Sequence, residues 1–214
     1  QAGGPFELTI QSGEKTQIIQ DVLIGEVWIA GGQSNMQWSL SGSIHKEQAL
    51  SMKDNDRIRV FKQTRNSSAS PEFDTLDAKW MPSTSANRKH WSAVAYWFAT
   101  DIQKRLGVPV GLLINCDGGT RTQYWTSLKT FQEAKGFESS LQEALLTKRT
   151  FASRRIQYEQ ELSTFLSKRK NGLKTRPAPT YYGRVPCGYY NAMIHPIRKF
   201  SSRGVIWYQG ERNA

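Results

Sequence analysis

Three short apolar runs in the sequence each lead into a polar loop that contains glycine. The runs and their loops are 27–30 with Gly32-Gln-Ser-Asn35, 110–114 with Asp117-Gly-Gly-Thr120, and 205–208 with Gln209-Gly-Glu211. Apolar runs of this length, bounded by glycine, are typical of the buried strands of a parallel sheet. The carboxyl ends of such strands meet at one edge of the sheet, where α/β proteins bind their ligands. The pattern therefore predicts an α/β fold with its site at that edge.

Ser34 is the first reactive side chain after the first run, because Gly31 and Gly32 break the strand just before it. A serine at this place stands near backbone N–H groups that stabilise a developing oxyanion. The alternative is an ordinary turn in which the serine caps a helix. The stretch alone leaves both interpretations open.

The remaining segments complete an alternation of strands and helices, which predicts helices on both faces of a parallel sheet. Strands are expected at 6–10, at 16–24 and at 57–62, and the first should have one buried face because its apolar and polar residues alternate. Helices are expected at 46–52, 92–106, 128–134, 139–170 and 189–197, a surface loop at 66–87, and a connector at 171–186. The clearest helix is 92–106, which Gly107 should end. The two strands before residue 25 are too few for a domain, so they indicate the remnant of a β module.

The net charge of +11 is concentrated between Lys148 and Arg176. One interpretation is a patch that binds nucleic acid or another acidic surface. The other is a solvated helix face, which we favour because Glu159 and Glu161 interrupt the basic residues and no nucleic-acid motif accompanies them.

Other classes of function find no support in the sequence. No apolar run is long enough to span a membrane, and residues 1–5 lack the features of a signal peptide. Three scattered histidines and two distant cysteines offer no metal-ligand spacing, and there is no phosphate-binding loop, so neither metal nor cofactor is expected. Cys116 and Cys187 permit one disulfide, and their pairing stays open.

Four blocks of the sequence resemble the sialate O-acetylesterases, a branch of the SGNH (GDSL-like) hydrolases. The blocks are 25–38, 109–120 with Trp125, 190–196, and 204–211. Residues 2–10 also resemble the end of the β-sandwich that precedes the catalytic domain in that family. The resemblance implies a flavodoxin-like three-layer α/β/α fold with a parallel sheet. It further implies a chain truncated at both ends, with a sandwich remnant at 1–24 and a catalytic domain at 25–214.

The resemblance implies roles for several residues at the strand ends. Ser34 is the expected nucleophile, acting through an acyl-enzyme on acetyl esters of sialic acid or related glycans. Its oxyanion hole would comprise the Ser34 N–H, a glycine N–H and the Gln209 side chain, with Gly119 preferred slightly over Gly118. Four further residues are expected to contact the substrate or to support the residues that do: Asn35, Glu211, Arg121 and Arg212.

These four residues have different expected tasks. Asn35 should tie the turn together. Glu211 would position Gln209, contact substrate or form a buried ion pair. Arg121 and Arg212 would pair with a sialate carboxylate.

The sequence also departs from the family. The family's catalytic histidine and its acidic partner follow the Gln-Gly-Glu motif, whereas this sequence stops at Ala214. The expected domain is therefore incomplete at its carboxyl end and inactive by itself, unless a second chain or a C-terminal segment supplies His and Asp. His195 is rejected as the base, because it falls in the 190–196 block, where the family has a structural histidine.

Four smaller expectations complete the prediction. His45 and His90 should lie exposed in loops. Arg212 replaces a family serine and Gln123 a family glutamate, which puts substrate contacts in doubt. The alternative function is a non-catalytic module that binds carbohydrate or polyanions on a hydrolase scaffold. The resemblance implies a secreted, periplasmic or lysosomal protein.

Overall fold

The computed structural model describes residues 1–171, 173 and 178–214 of the chain. By their contacts they form two compact units. The first comprises Gln1–Gln63, Asp77–Gly119 and Phe200–Gln209, and the second comprises Thr64–Leu76, Thr120–Lys199 and Gly210–Ala214. The expected boundary between residues 24 and 25 stays a prediction. Lys174 and Arg176 of the basic stretch, and part of the 171–186 connector, lie outside the described residues.

The first unit is built on a five-stranded sheet whose order is β5-β4-β6-β3-β7. Its strands are β3 (Glu26–Gly32), β4 (Asn55–Lys62), β5 (Lys79–Ser83), β6 (Val110–Cys116) and β7 (Gly204–Tyr208). β3 pairs in parallel with β6 and β7, and β4 pairs in parallel with β6. The predicted α/β fold is therefore confirmed, although the sheet is mixed rather than wholly parallel, because β5 runs antiparallel to β4.

The surface loop predicted at 66–87 is partly wrong, since it contains β5 and the short helix α3 (Ser85–Arg88). Pro82 concealed the strand, because proline cannot donate to a ladder and is confined to sheet edges, where β5 lies. Trp80 packs on Phe61 of β4, with ring centroids 5.3 Å apart. Arg88 at the end of α3 is fully buried. This segment therefore closes one edge of the sheet and contributes to the core.

The predicted helix at 92–106 is present as α4 (Ala93–Leu106). The Ser92 hydroxyl accepts from the Ala95 N–H at its start, and Gly107 ends it in the left-handed conformation, with a φ of 68°. Ala95 and Ala99 are fully buried in the main core, together with the central residues of β4 and β6. The other helices of this unit are α1 (Ser34–Gln37) and α2 (Lys46–Ser51), which confirms the short helix predicted at 46–52.

The two strands predicted before residue 25 are present as β1 (Gly3–Ser12) and β2 (Lys15–Ile24), and the structure shows that they form an antiparallel hairpin. The apolar face expected to be buried at 6–10 is exposed instead, since Phe6, Leu8 and Ile10 are between 44% and 47% exposed. The sheet to which β1 belongs has only two strands in the described part of the chain, and a two-stranded hairpin has no second layer of its own to cover an apolar face. Whether the hairpin ends a β-sandwich stays a prediction.

The second unit is helical. It contains α5 (Leu128–Glu133) and the 33-residue α6 (Glu138–Lys170), as predicted. The apolar segment predicted at 189–197 forms a π-helical turn, Tyr190–Ile194. Arg155 pairs with Glu159 at 2.8 Å on the exposed face of α6, as expected for a solvated helix face. None of the helices in the described residues combines the length and the apolar character that a transmembrane segment requires.

Candidate active site

The carboxyl ends of three strands lie side by side in the first unit. Gly32 of β3 is in register with Cys116 of β6 on one side and with Tyr208 of β7 on the other. The ladder continues beyond these residues, because the Gln33 N–H donates to the Tyr208 carbonyl at 3.1 Å and the Asp117 N–H donates to the Gly32 carbonyl at 3.2 Å. The three glycine-containing polar loops identified in the sequence therefore begin at the same edge of the sheet.

Ser34 is exposed at this edge as the first residue of α1. The turn before it depends on Gly32, which has a φ of 143°. A Cβ at Gly32 would lie only 2.1 Å from the Tyr208 carbonyl oxygen, so no side chain fits there. The N–H groups in the first turn of a helix have no acceptor within that helix. The turn thus presents the Ser34 hydroxyl and the Ser34 N–H on the surface of the unit.

The loop after β6 approaches Ser34 through Gly118. A Cβ built on Gly118 would lie 3.5 Å from the Ser34 Cβ and 3.0 Å from the side-chain oxygen of Gln37. That oxygen accepts the Gly118 N–H at 2.7 Å. Gly119 is exposed, with a φ of 71°, and no acceptor for its N–H lies among the described residues. The Gly118 N–H is thus already bonded within the unit, whereas the Gly119 N–H is available to another acceptor; the preference for Gly119 as an oxyanion donor stays a prediction.

The other predicted site residues divide between the two units. Asn35 and Gln209 are half-buried in the first unit, at the ends of the same strands. Arg121, Glu211 and Arg212 are exposed and belong to the second unit. The structure therefore brings Ser34, Asn35, Gly118, Gly119 and Gln209 to one edge of the first unit.

Within the second unit the segments carrying the two arginines are joined by Asn213. Its side-chain oxygen accepts from the Thr122 N–H at 2.9 Å, and its amide donates to the Gln123 side chain at 2.9 Å. Arg121 and Arg212 are the chain neighbours of these bonded residues. Gln123, at a position where the resemblance implies glutamate, therefore has a structural contact in this chain.

The three histidines have different surroundings in the structure. His45 and His90 are exposed in the first unit, as expected. His195 lies in the second unit with its Nδ1 atom 2.7 Å from the Glu72 carbonyl oxygen. The Arg198 guanidinium also donates to the His195 carbonyl at 2.7 Å. These contacts hold the ring within the second unit, and the structural role expected for His195 stays a prediction.

Sequence reasoning missed three amide side chains at the same edge of the sheet. Gln37 contacts the Gly118 loop, as described above. Gln63 and Asn115 are both buried, and the Gln63 amide donates to the Asn115 side-chain oxygen. The available signal for Gln37 was its position three residues after Ser34, which places both on one helix face.

The 490 Å³ cavity of the first unit lies away from this edge. Its walls include Leu8 and Val22 of the hairpin, Gly25 and Val110 at the beginnings of β3 and β6, and Trp80. It therefore opens at the amino ends of the parallel strands and is separate from the candidate site. Among the described residues no group of three His, Cys, Asp or Glu side chains is placed to hold a metal ion.

The two cysteines are free thiols in the structure. Burial raises the pKa of Cys116 to about 12, with a further contribution from Asp117 that outweighs the opposing effect of Lys62. Burial also raises the pKa of Cys187 to about 12. The thiolate is the reactive form of cysteine, so both side chains should be unreactive at neutral pH.

We expect iodoacetamide at pH 8 to leave both cysteines of the folded chain unmodified and to alkylate both in denaturant, as measured by intact mass. A thiol with a pKa near 12 is ionised to about one part in 10⁴ at pH 8, compared with about a quarter for an ordinary thiol. Because the unfolded thiols ionise from about pH 8.5 while the folded ones stay protonated to about pH 12, the free energy of unfolding should fall as the pH rises across that interval. Rapid alkylation of the native chain would contradict this account.

Comparisons with known proteins show which proteins this chain is similar to. No protein-family model matches it. It is 29% identical to the sialate O-acetylesterase of Rattus norvegicus over 235 residues, 32% identical to that of Mus musculus over 228 residues, and 28% identical to that of Homo sapiens over 228 residues. Each match covers 99% of this chain but only 36% to 40% of the relative.

A solved structure agrees with these relatives. The crystal structure of a carbohydrate acetylesterase from Xanthomonas citri matches with a TM-score of 0.73 and 28% identity, over 99% of this chain and 38% of that one. The resemblance drawn from the four sequence blocks is thereby confirmed. The chain is a homologue of the sialate O-acetylesterases and spans about two-fifths of the length of the curated relatives it matches.

Proposed function

We propose that this chain carries the nucleophile and the oxyanion hole of a serine esterase that removes acetyl groups from sugars. The observation that carries the proposal is the position of Ser34. It is exposed in the first turn of α1, and its Cβ lies 3.5 Å from the place that a Cβ on Gly118 would occupy. A nucleophile beside backbone donors is the arrangement that acyl transfer requires. The relatives' names supply the substrate class, acetylated sialic acid or a related glycan.

The proposed reaction has two steps. The Ser34 hydroxyl oxygen bonds to the acetyl carbonyl carbon while a base takes its proton, and the carbonyl electron pair moves onto oxygen. That oxyanion accepts hydrogen bonds from the N–H groups of Ser34 and Gly119 and from the Gln209 amide. The sugar oxygen then leaves with the proton. Water attacks the acetyl-serine in the same way and releases acetate.

We propose further that none of the three histidines of this sequence is the base. His45 and His90 are exposed in loops of the first unit, and the His195 ring is bound to the Glu72 carbonyl in the second. A serine without a base is a weak nucleophile. We therefore infer that a histidine and an acidic residue beyond this sequence, in the same protein or in a second chain, activate Ser34. The isolated 214-residue polypeptide should turn over poorly.

A serine-directed fluorophosphonate tests the proposal. In the native protein the probe should modify Ser34, located by mass spectrometry of the peptide, and acetate should be released from an O-acetylated sialic acid. The competing function is a non-catalytic module that binds carbohydrate or polyanions, motivated by the net charge of +11. That module would bind acidic glycans in a salt-dependent manner, release no acetate and leave Ser34 unlabelled.

Arg121 and Arg212 provide a prediction about specificity. In sequence Arg121 is two residues after Gly119, and Arg212 is three residues after Gln209; both side chains are exposed. Paired with a substrate carboxylate, they should favour acidic over neutral sugars. Changing both to alanine should lower the ratio of kcat/KM for acidic and neutral acetylated sugars about tenfold. Arg154→Ala, at an exposed position of α6, is the control. If the double variant keeps the same ratio, Arg121 and Arg212 do not determine the preference for acidic sugars.

The cellular location is part of the same proposal. The resemblance to the sialate O-acetylesterases suggests a secreted, periplasmic or lysosomal protein. Fractionation of the native protein's source, followed by fluorophosphonate labelling, would test that suggestion.

A further inference from the structure

The loop that follows β6 is held at two successive N–H groups. Asp117 donates to the Gly32 carbonyl at 3.2 Å, which extends the sheet ladder by one residue. Gly118 donates to the Gln37 side-chain oxygen at 2.7 Å, across 81 residues of sequence. Gly119 is the next residue, and its N–H has no acceptor among the described residues. The first two bonds thus orient the loop and leave the third N–H available.

Gln37 is suited to this task by its place in the helix. It is the last residue of α1 and lies three residues after Ser34. The helix that carries the proposed nucleophile is therefore also hydrogen-bonded to the loop that follows β6. We propose that Gln37 is a positioning residue of the oxyanion hole, which holds the Gly118 N–H so that the Gly119 N–H faces the acyl oxygen on Ser34. This inference rests on the proposed esterase function.

The packing around Gly118 supports the same role. A Cβ at this position would lie 3.0 Å from the Gln37 side-chain oxygen, which is closer than most Cβ contacts in proteins. Gly118 does not have a positive φ. The backbone could therefore adopt the same conformation with alanine at this position. The added Cβ would instead crowd the Gln37 side-chain oxygen and disturb that contact. The close approach of Gln37, rather than a special backbone angle, explains a glycine at this position.

Gln37→Met in the native protein tests the proposal, because methionine keeps the length of the side chain and removes the strong acceptor. We expect kcat to fall about 10- to 100-fold, less than or similar to the loss of a whole oxyanion donor, with KM within about twofold. The Gly118 amide should exchange its hydrogen faster by NMR. Gln48→Met, at an exposed glutamine of helix α2, is the matched control and should change none of these quantities.

A double-variant cycle separates positioning from general destabilisation. Gly118→Ala should lower kcat by breaking the same contact, and adding it to Gln37→Met should cost little more, because both changes remove one interaction. If the losses of kcat in the two single variants add up in the double variant, or if Gln37→Met leaves kcat unchanged, Gln37 is not a positioning residue. Labelling of Ser34 by the fluorophosphonate would still support the esterase proposal in either case. Absence of that labelling in the unaltered protein would show that the esterase proposal is wrong, and the role of Gln37 would fall with it.

Discussion

Ser34→Ala is expected to lower the rate of acetyl-ester hydrolysis by the native protein about 10⁴-fold or more, because the acyl-enzyme cannot form without the hydroxyl oxygen. Donors that act on the oxyanion would remain, so a small residual rate over the uncatalysed reaction is expected. The measurement is acetate release under saturating substrate, together with fluorophosphonate labelling, which should disappear.

The folded state should tolerate this change. The Ser34 side chain is exposed, and its hydroxyl has no hydrogen-bond partner among the described residues. Exposed substitutions of this kind usually alter the free energy of unfolding by no more than about 0.5 kcal/mol. Ser51→Ala, at an exposed serine of helix α2, is the matched control and should keep full activity. Activity that survives in Ser34→Ala would remove Ser34 from the role of nucleophile.

The second large effect is expected at Arg88, and it concerns stability rather than catalysis. The guanidinium is fully buried. One terminal nitrogen donates to the carbonyls of Lys53 at 3.2 Å and Ser83 at 3.0 Å, and the other donates to the carbonyls of Leu50, at 3.2 Å, and Met52. Three of these acceptors lie at and just after the end of α2, where helix carbonyls have no partners within the helix.

Arg88→Met should therefore lower the free energy of unfolding by about 3 to 5 kcal/mol, since it leaves several carbonyls without a donor. Denaturant titration followed by circular dichroism would measure the change. Arg105→Met is the control, because the pair of Arg105 and Asp101 lies on the surface, with exposed fractions of 72% and 57%. That variant should lose less than about 1 kcal/mol. If Arg88→Met lowers the free energy of unfolding by a similarly small amount, water satisfies the carbonyls as well as the guanidinium does, and the expected contribution of Arg88 is wrong.

Much of the fold could be predicted from the sequence because its strongest signals are local. The apolar run at 110–114 and the capped helix ending at Gly107 are both present with nearly the expected bounds. β5 could not be found in this way, because Pro82 and its polar neighbours resemble a loop until β4 offers an edge for pairing. Its antiparallel direction likewise depends on that pairing.

The candidate site shows the same division. The order of residues determined that Ser34, the Gly118-Gly119 pair and Gln209 each follow an apolar strand, and parallel pairing then requires these ends to share an edge. Which glycine keeps an available N–H was decided only by the side chain of Gln37, because that contact spans 81 residues. Nothing local in a sequence records a contact at such separation.

Burial of charge was also beyond the sequence. Arg88 sits in a polar stretch of the sequence that resembles solvent-exposed loop, yet the backbone carbonyls that surround it come from α2, the segment after it and β5. The sequence by itself determined most elements of this protein and the sheet edge at which Ser34, Gly119 and Gln209 lie, since both follow from local pattern and strand direction. The tertiary structure alone decided which polar groups are buried and which donors remain available, because those properties depend on neighbours that are distant in the chain.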